Sequence, residues 1–178
     1  DNNASLNLAN STVSGSSAGY NGGGIFAEPG TTVTITDSTI QGNTAGDFGG
    51  GLYTEGVSLS LTNSTISSNS AYIGGGAIYL YDGSTLSLTG STISNNNSSG
   101  NGGGLFAENS GTVTASNTTF DNNFADNGAG ILASDSGLSI SLTNCTISNH
   151  SAFTHGGGIF VAQSTGMSLN GTTLTGNA

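Results

Sequence analysis

Three glutamates occupy equivalent places in the sequence and are the residues best suited to acid–base chemistry. Glu28 and Glu55 each lie three residues after an apolar residue that follows a run of glycines, and Glu108 holds the same place two repeats beyond Glu55. Carboxylates that converge on one face can serve as the acid and base of a glycoside hydrolase, or share a calcium ion. Asp121 and Asp126 are a second candidate pair. Solvated carboxylates scattered over a surface are the alternative. We favour it and predict no catalytic site.

The metal-binding and thiol residues give no stronger signal for chemistry. His150 and His155 have no cysteine or further histidine at metal-ligand spacing, and Cys145 is the single cysteine of the chain. A single cysteine forms no intrachain disulfide. Cys145 takes a place that serine or threonine holds in the other repeats, so we interpret it as a small buried residue. We therefore predict no metal site and no cofactor.

The elements that must position these residues come from a repeat of 26 or 27 residues. A period in this range indicates a repeat architecture. Each repeat contains an apolar residue that is preceded by threonine. These anchor residues are Val13, Ile40, Ile66, Ile93, Phe120, Ile147 and Leu174.

Each repeat contains three short segments in which apolar and polar residues alternate, a pattern that predicts strands. Three strands and three turns in about 27 residues describe one coil of a β-solenoid, in which each coil pairs with the next. The prediction is an all-β, right-handed parallel β-helix of about six and a half coils of 26–28 residues. We predict one solenoid domain over residues 1–178 without evident caps, as a possible segment of a longer chain.

Two motifs of the repeat resemble those of a known family. One is Gly-Gly-Ala-Ile at Gly75 to Ile78, and the other is Phe-x-x-Asn at Phe120 to Asn123, which most other repeats carry as Ile-x-x-Asn. They are similar to the repeats of polymorphic outer membrane proteins. The resemblance covers nearly the whole chain and implies right-handed parallel β-helices of bacterial surface proteins and adhesins. Because many surface roles share this fold, it implies little about a ligand.

Asparagine recurs three residues after the anchors, and we predict a structural ladder of side chains at a corner of the coil. Its members are Asn43, Asn69, Asn96, Asn123 and Asn177, and His150 takes one place. Asn-x-Ser/Thr sequons at another corner are possible glycosylation sites, because a surface corner is accessible. These four asparagines are Asn10, Asn63, Asn117 and Asn144.

Two further columns of equivalent residues are candidate interaction surfaces. The first is an outward threonine face that resembles the flat arrays of ice-binding solenoids. It consists of Thr12, Thr39, Thr65, Thr92, Thr119, Thr146 and Thr173. The second is an aromatic ladder, which is either an exposed interaction site or buried because this wall of the coil bends. It consists of Phe26, Tyr53, Tyr79, Phe106 and Phe160, with Leu132 in one place.

Charge restricts the partners. The chain has ten carboxylates and no lysine or arginine, so its formal net charge is −10. Such a surface cannot neutralise phosphates, which excludes nucleic acid, and it repels anionic membranes. The sequence contains no run of about 20 apolar residues, so we predict no direct membrane insertion. We expect an extracellular or cell-surface, non-enzymatic structural or adhesive solenoid that associates with itself end to end, with a carbohydrate as a candidate partner. An ice-binding solenoid and a polysaccharide-binding or polysaccharide-hydrolysing β-helix are the alternatives.

Overall fold

A computed structural model describes residues 4–163 and 165–178, which form 26 β-strands and no helix. The strands belong to four sheets, and every strand pairs in parallel with the equivalent strand one repeat earlier or later. One repeat is therefore one coil, and successive coils stack along a single axis. The all-β, parallel β-helix prediction is confirmed.

In each coil the chain passes through the four sheets in the same order. The first sheet contains Ser5–Ala9, Thr32–Thr36, Ser58–Thr62, Thr85–Thr89, Gly111–Ser116, Leu138–Thr143 and Gly166–Asn170. The second contains Thr12–Ser14, Thr39–Gln41, Thr65–Ser67, Thr92–Ser94, Thr119–Asp121, Thr146–Ser148 and Thr173–Thr175. The third contains Ser17–Ala18, Thr44–Ala45, Ser70–Ala71, Asn97–Ser98, Phe124–Asn127 and Ser151–His155. The fourth contains Ile25–Ala27, Leu52–Glu55, Ile78–Tyr81, Leu105–Glu108, Ile131–Ser134 and Ile159–Val161.

The third sheet adds a fourth strand to the three that the sequence predicts for each coil. Four of its six strands are only two residues long, for example Ser17–Ala18 and Thr44–Ala45. Two residues are too few to show an alternating pattern, so periodicity cannot reveal them.

In-register pairing places like residues above one another and builds the core. Leu6 pairs with Val33 and Leu8 with Ile35, so apolar side chains stack inside the coil while their neighbours point outward. Val33 and Ile35 are fully buried, as is the anchor Ile66. Each buried side chain of this size contributes roughly 1.5–3 kcal/mol to the free energy of folding.

The corners of the coil require left-handed backbone, which explains their composition. The corner between the first and second sheets has φ near +50° at Asn10 and at Asn63, and φ is +60° at Gly90. The corner between the second and third sheets has φ of +57° at Asn95 and +49° at Asn122. Asparagine and glycine tolerate this region better than other residues do.

The glycine runs before the fourth sheet are required by close packing. A Cβ added to Gly103 would lie within 3 Å of the carbonyl oxygens of Phe124 and Ala129 in the next coil. Because backbone carbonyls cannot move aside without breaking the coil-to-coil hydrogen bonds, only glycine fits here.

Candidate functional site

The asparagine ladder runs along the corner that follows the second sheet. The side-chain Oδ1 of Asn96 accepts hydrogen bonds of 3.0 Å from both the backbone N–H and the side-chain amide of Asn69. Its own Nδ2 donates to the carbonyl of Ile66 at 3.0 Å. The same bonds join Asn43 to Asn69 and Asn96 to Asn123, and these amides are buried. Asn177 continues the column by accepting a hydrogen bond from the N–H of His150. The column ties each coil to the next.

His150 interrupts this ladder. Its Nδ1 accepts the backbone N–H of Asn123 at 3.0 Å, as an asparagine Oδ1 does elsewhere. The ring is buried and lies against Gly130, and Nε2 has no hydrogen-bond partner among the described residues. Burial lowers the pKa of His150, which keeps the ring neutral. His155 is exposed and stacks on Phe160, so the two histidines have different surroundings.

A second ladder, of hydroxyl groups, follows the corner between the first and second sheets. The hydroxyl of Ser38 accepts the backbone N–H of Ser11 at 3.0 Å, and that of Ser64 accepts the N–H of Ser38 at 3.2 Å. Ser91 does the same for Ser64. Cys145 occupies this column, where it is buried and unpaired with any other cysteine. The sequence showed only that small residues recur at this place. The hydrogen bonds of these hydroxyl groups depend on the register of the coils.

The aromatic ladder is largely buried, so the exposed-column interpretation is wrong. Tyr79 and Phe106 are each 4 % exposed, and Tyr53 and Leu132 are also buried. Only the ends differ: Phe26 is 48 % exposed and Phe160 is partly buried. The rings form a second apolar cluster outside the main core.

The cover comes from the segment that precedes each glycine run. Phe48 lies in such a segment and stacks on Tyr79 with ring centroids 4.5 Å apart. In the next coil Gly74 lies against the ring of Phe106. Isolated parallel bridges from Phe48 to Gly74 and from Gly74 to Asn101 hold these segments in place. The aromatic ladder is therefore covered by another segment of the same chain. The alternation of residues within the strand does not indicate this cover.

The glutamate column lies at the end of the fourth sheet. Glu55 pairs in register with Tyr81, so a tyrosine separates it from Glu108. Glu108 Oε2 accepts a hydrogen bond of 2.6 Å from the hydroxyl of Tyr79. Glu28 is exposed at the first coil.

Two tyrosines respond to these carboxylates. Burial and the nearby carboxylate of Glu55 raise the pKa of Tyr53 to about 12. Burial and the hydrogen bond to Glu108 raise the pKa of Tyr79 well above the usual range of tyrosine. Both phenols therefore stay protonated at neutral pH.

The second carboxylate pair does not form, because Asp121 and Asp126 lie on different sheets. Asp121 accepts hydrogen bonds from Ser148 at 2.7 Å and from Asn149 at 2.8 Å. These bonds lower the pKa of Asp121. Among the described residues, no group of three or more His, Cys, Asp or Glu side chains could hold a metal ion, and no pocket is formed.

The threonine face lies on the outside of the second sheet. Thr65 pairs with Thr39 and with Thr92, and the same column continues from the first coil to the last. The adjoining column contains Gln41 and Asp121 between serines. The outer face of the first sheet extends this hydroxyl surface, because Thr34, Ser60 and their equivalents point outward from it.

The four candidate glycosylation asparagines lie at the corner between the first and second sheets. Asn10, Asn63, Asn117 and Asn144 are exposed and have φ between +49° and +52°. The positive φ is itself sufficient reason for asparagine at this corner.

A second group of aromatic residues, which the sequence pattern did not indicate, lies at the third sheet and the turn after it. Tyr72 is 69 % exposed and Phe124 is 46 % exposed. The equivalent places in the neighbouring coils are not aromatic, as Asn97 and Ser151 beside Phe124 show, so the repeat gave no signal for them. The described part of the chain has no helix long and apolar enough to cross a membrane.

The parallel sheets and corner ladders define the chain as a β-helix solenoid. Comparison by sequence agrees: residues 1–178 match the family described as right-handed β-helix region, and the chain belongs to that family. This finding supports the repeat class that the sequence indicated, although not the polymorphic outer membrane protein type in particular. No curated protein and no solved structure matches the chain.

Proposed function

We propose that this chain is an extracellular, non-enzymatic structural or adhesive solenoid, either a segment of a cell-surface protein or a filament subunit. The observation that carries the proposal is the pair of ladders, which join the coils side chain to backbone along two corners. Hydrogen bonds that recur from coil to coil suit a stiff rod that holds a binding surface away from the cell surface.

Protease resistance tests this role. Trypsin cleaves after lysine and arginine, and the chain has neither. Proteases of broader specificity need locally unfolded backbone, which continuous coil-to-coil pairing suppresses. We expect the folded chain to survive proteinase K for hours at 37 °C, and an Asn69→Ala, Asn96→Ala double variant to be degraded much faster. Rapid loss of the unmodified chain would contradict a long-lived external structure.

The non-enzymatic part of the proposal is supported by the surroundings of the glutamates. A glycoside hydrolase needs two carboxyl groups on either side of one bond. Here Glu108 is bound to Tyr79, and Tyr81 stands between it and Glu55. Turnover of a polysaccharide that is abolished by Glu28→Gln or Glu55→Gln would overturn the proposal and favour the hydrolase alternative.

End-to-end self-association is the proposed mode of assembly. Leu169 and Leu174 of the last described coil are 45 % and 46 % exposed, and Leu6 and Leu8 of the first are partly buried. A further coil or a second copy in register would cover these apolar side chains and pair the free strand edges. Sedimentation of the 178-residue chain tests this: a monomer over the whole concentration range would contradict it.

Ice binding is a second candidate, favoured by the in-register threonine column on the second sheet. Short hydroxyl side chains on a regular grid present methyl and hydroxyl groups in two dimensions. Thermal hysteresis that is lost in a Thr92→Lys variant, with unchanged stability, would support this candidate. Hysteresis equal to that of a non-binding protein would exclude it.

A further inference from the structure

Four exposed aromatic side chains lie along one side of the solenoid, at the third sheet and the turn after it. We call them the aromatic band: Tyr20, Tyr72, Phe124 and Phe153. They are 77 %, 69 %, 46 % and 83 % exposed. Tyr72 and Phe124 lie in the third and fifth coils, which have neighbours on both sides, so their exposure is not an effect of an end.

The band is separate from the buried aromatic cluster. Phe124 pairs in register with Asn97 and Ser151, which are both exposed, so its ring belongs to the outward side of the third sheet. Among the described residues, no ring stacks on any of the four. Their faces are therefore open to solvent, at intervals of one or two coils, which are about 4.8 Å each.

Two aspartates lie within the band. The backbone N–H of Asp47 donates to the carbonyl of Tyr20 at 2.8 Å, and the carbonyl of Asp47 accepts the N–H of Ile73 at 2.8 Å. Asp47 therefore lies between the coils of Tyr20 and Tyr72. Asp126 is two residues beyond Phe124. No described side chain hydrogen-bonds to either carboxylate, so both remain free to bind a cation.

Aromatic faces and free carboxylates attract the same chemistry. The face of an aromatic ring is the negative end of its quadrupole, and it binds ammonium and guanidinium groups. The chain has no lysine or arginine with which to neutralise this surface. A second copy with a net charge of −10 would be repelled side by side. The charge therefore indicates a cationic partner.

We propose that the aromatic band, with Asp47 and Asp126, binds a Lys/Arg-rich polypeptide segment laid along the solenoid axis. Its cationic groups lie on the exposed rings and pair with the two carboxylates between them. An extended segment suits the site, because the band runs from the first coil to the sixth along the solenoid axis. The inference rests on the proposed adhesive role and names the chemistry of the partner.

The test measures binding of a fluorescent peptide of alternating arginine and serine at physiological salt, with a glutamine–serine peptide as the uncharged control. In the band variant, Tyr20→Ser, Tyr72→Ser, Phe124→Ser and Phe153→Ser are combined. Its net charge is unchanged, so attraction by bulk charge is preserved. We expect binding to weaken at least tenfold. Equal affinity in the band variant, or no binding of the arginine peptide to the unmodified chain, would overturn the proposal.

Two matched double variants test whether the carboxylates of Asp47 and Asp126 contribute to binding. Asp47→Asn with Asp126→Asn removes two charges within the band. Asp37→Asn with Asp82→Asn removes two exposed charges elsewhere, at positions whose positive φ asparagine tolerates. We expect the first pair to weaken binding several-fold more than the second, and equal losses would overturn the assignment. Binding of a neutral oligosaccharide in place of the peptide would also overturn it. If binding fails while protease resistance persists, this inference is wrong and the proposed structural role stands.

Discussion

His150 accepts the backbone N–H of Asn123 through Nδ1 at 3.0 Å, in a place where an asparagine amide oxygen serves the other coils. The imidazole thus replaces the acceptor of the ladder, but it does not replace the side-chain amide that donates to a backbone carbonyl. The amide of Asn123 donates to the carbonyl of Ile93, whereas the buried Nε2 of His150 has no hydrogen-bond partner in the part of the chain that the structure describes. This coil is therefore the weak point of the asparagine ladder.

The first prediction concerns acid stability. Burial lowers the pKa of His150 in the folded chain, while the unfolded imidazole titrates near 6.5. Below about pH 6.5 the unfolded chain binds more protons than the folded chain does. The free energy of unfolding therefore has its full value above that pH. It decreases as the pH falls from about 6.5 towards the lower pKa of the folded state. Urea unfolding between pH 7.5 and 5 measures the loss.

A His150→Asn variant should remove this pH dependence. It should also raise the free energy of unfolding by about 1 kcal/mol, because it restores a hydrogen bond. His155→Asn is the control, since it replaces the exposed histidine and leaves the ladder as it is. Unchanged pH dependence in His150→Asn would show that other groups cause the acid sensitivity.

The second prediction concerns the middle of the ladder. Asn96→Ala leaves the backbone N–H of Asn69 without its acceptor and removes the amide donor to the carbonyl of Ile66. The Asn69 amide also loses its bond to Asn96 and keeps only the one to the carbonyl of Ile40. We expect a loss of about 2–4 kcal/mol, because each buried unpaired group costs about 1–3 kcal/mol. Asn97→Ala, which changes the exposed neighbour, should cost less than about 0.5 kcal/mol. Similar urea midpoints for the two variants would contradict the structural role of the ladder.

The third prediction concerns the hydrogen bond from Tyr79 to Glu108. Tyr79→Phe keeps the ring stacking but removes the hydroxyl, so we expect a loss of about 1.5–3 kcal/mol near neutral pH, the range for hydrogen bonds to charged groups. Tyr81→Phe is the matched control, because Tyr81 stacks on Tyr79 but its hydroxyl has no hydrogen bond among the described residues. Thermal unfolding compares the two variants, and equal midpoints would contradict the hydrogen bond from Tyr79 to Glu108.

The fourth prediction concerns the glycine runs. Gly103→Ala places a methyl group against two backbone carbonyls, so we expect a loss of at least about 3 kcal/mol or failure to fold. At Gly19 an added Cβ meets nothing within 4 Å, so Gly19→Ala should be tolerated. A folded Gly103→Ala variant with an unchanged thermal midpoint would contradict the close approach of the coils at this position.

Sequence alone was sufficient for the fold because the repeat is local. The 26- or 27-residue period, the apolar anchors such as Ile66 and the corner asparagines such as Asn69 each follow from what one coil needs in order to stack on the next. When a side chain packs against the equivalent side chain of the next coil, the repeat in the sequence already shows what its neighbour is. The asparagine ladder was predictable for this reason.

Tertiary structure decided which segments outside a strand pack over its side chains. The Tyr79 column alternates as an outward column does, yet the segment around Phe48 folds over it. Tyr72 and Phe124 have no aromatic counterparts in the neighbouring coils, and the outer side of the third sheet and its turn leave them exposed. Alternation tells which residues share a side of a strand. The burial of that side depends on which other segment packs against it, and alternation within the strand carries no information about that segment.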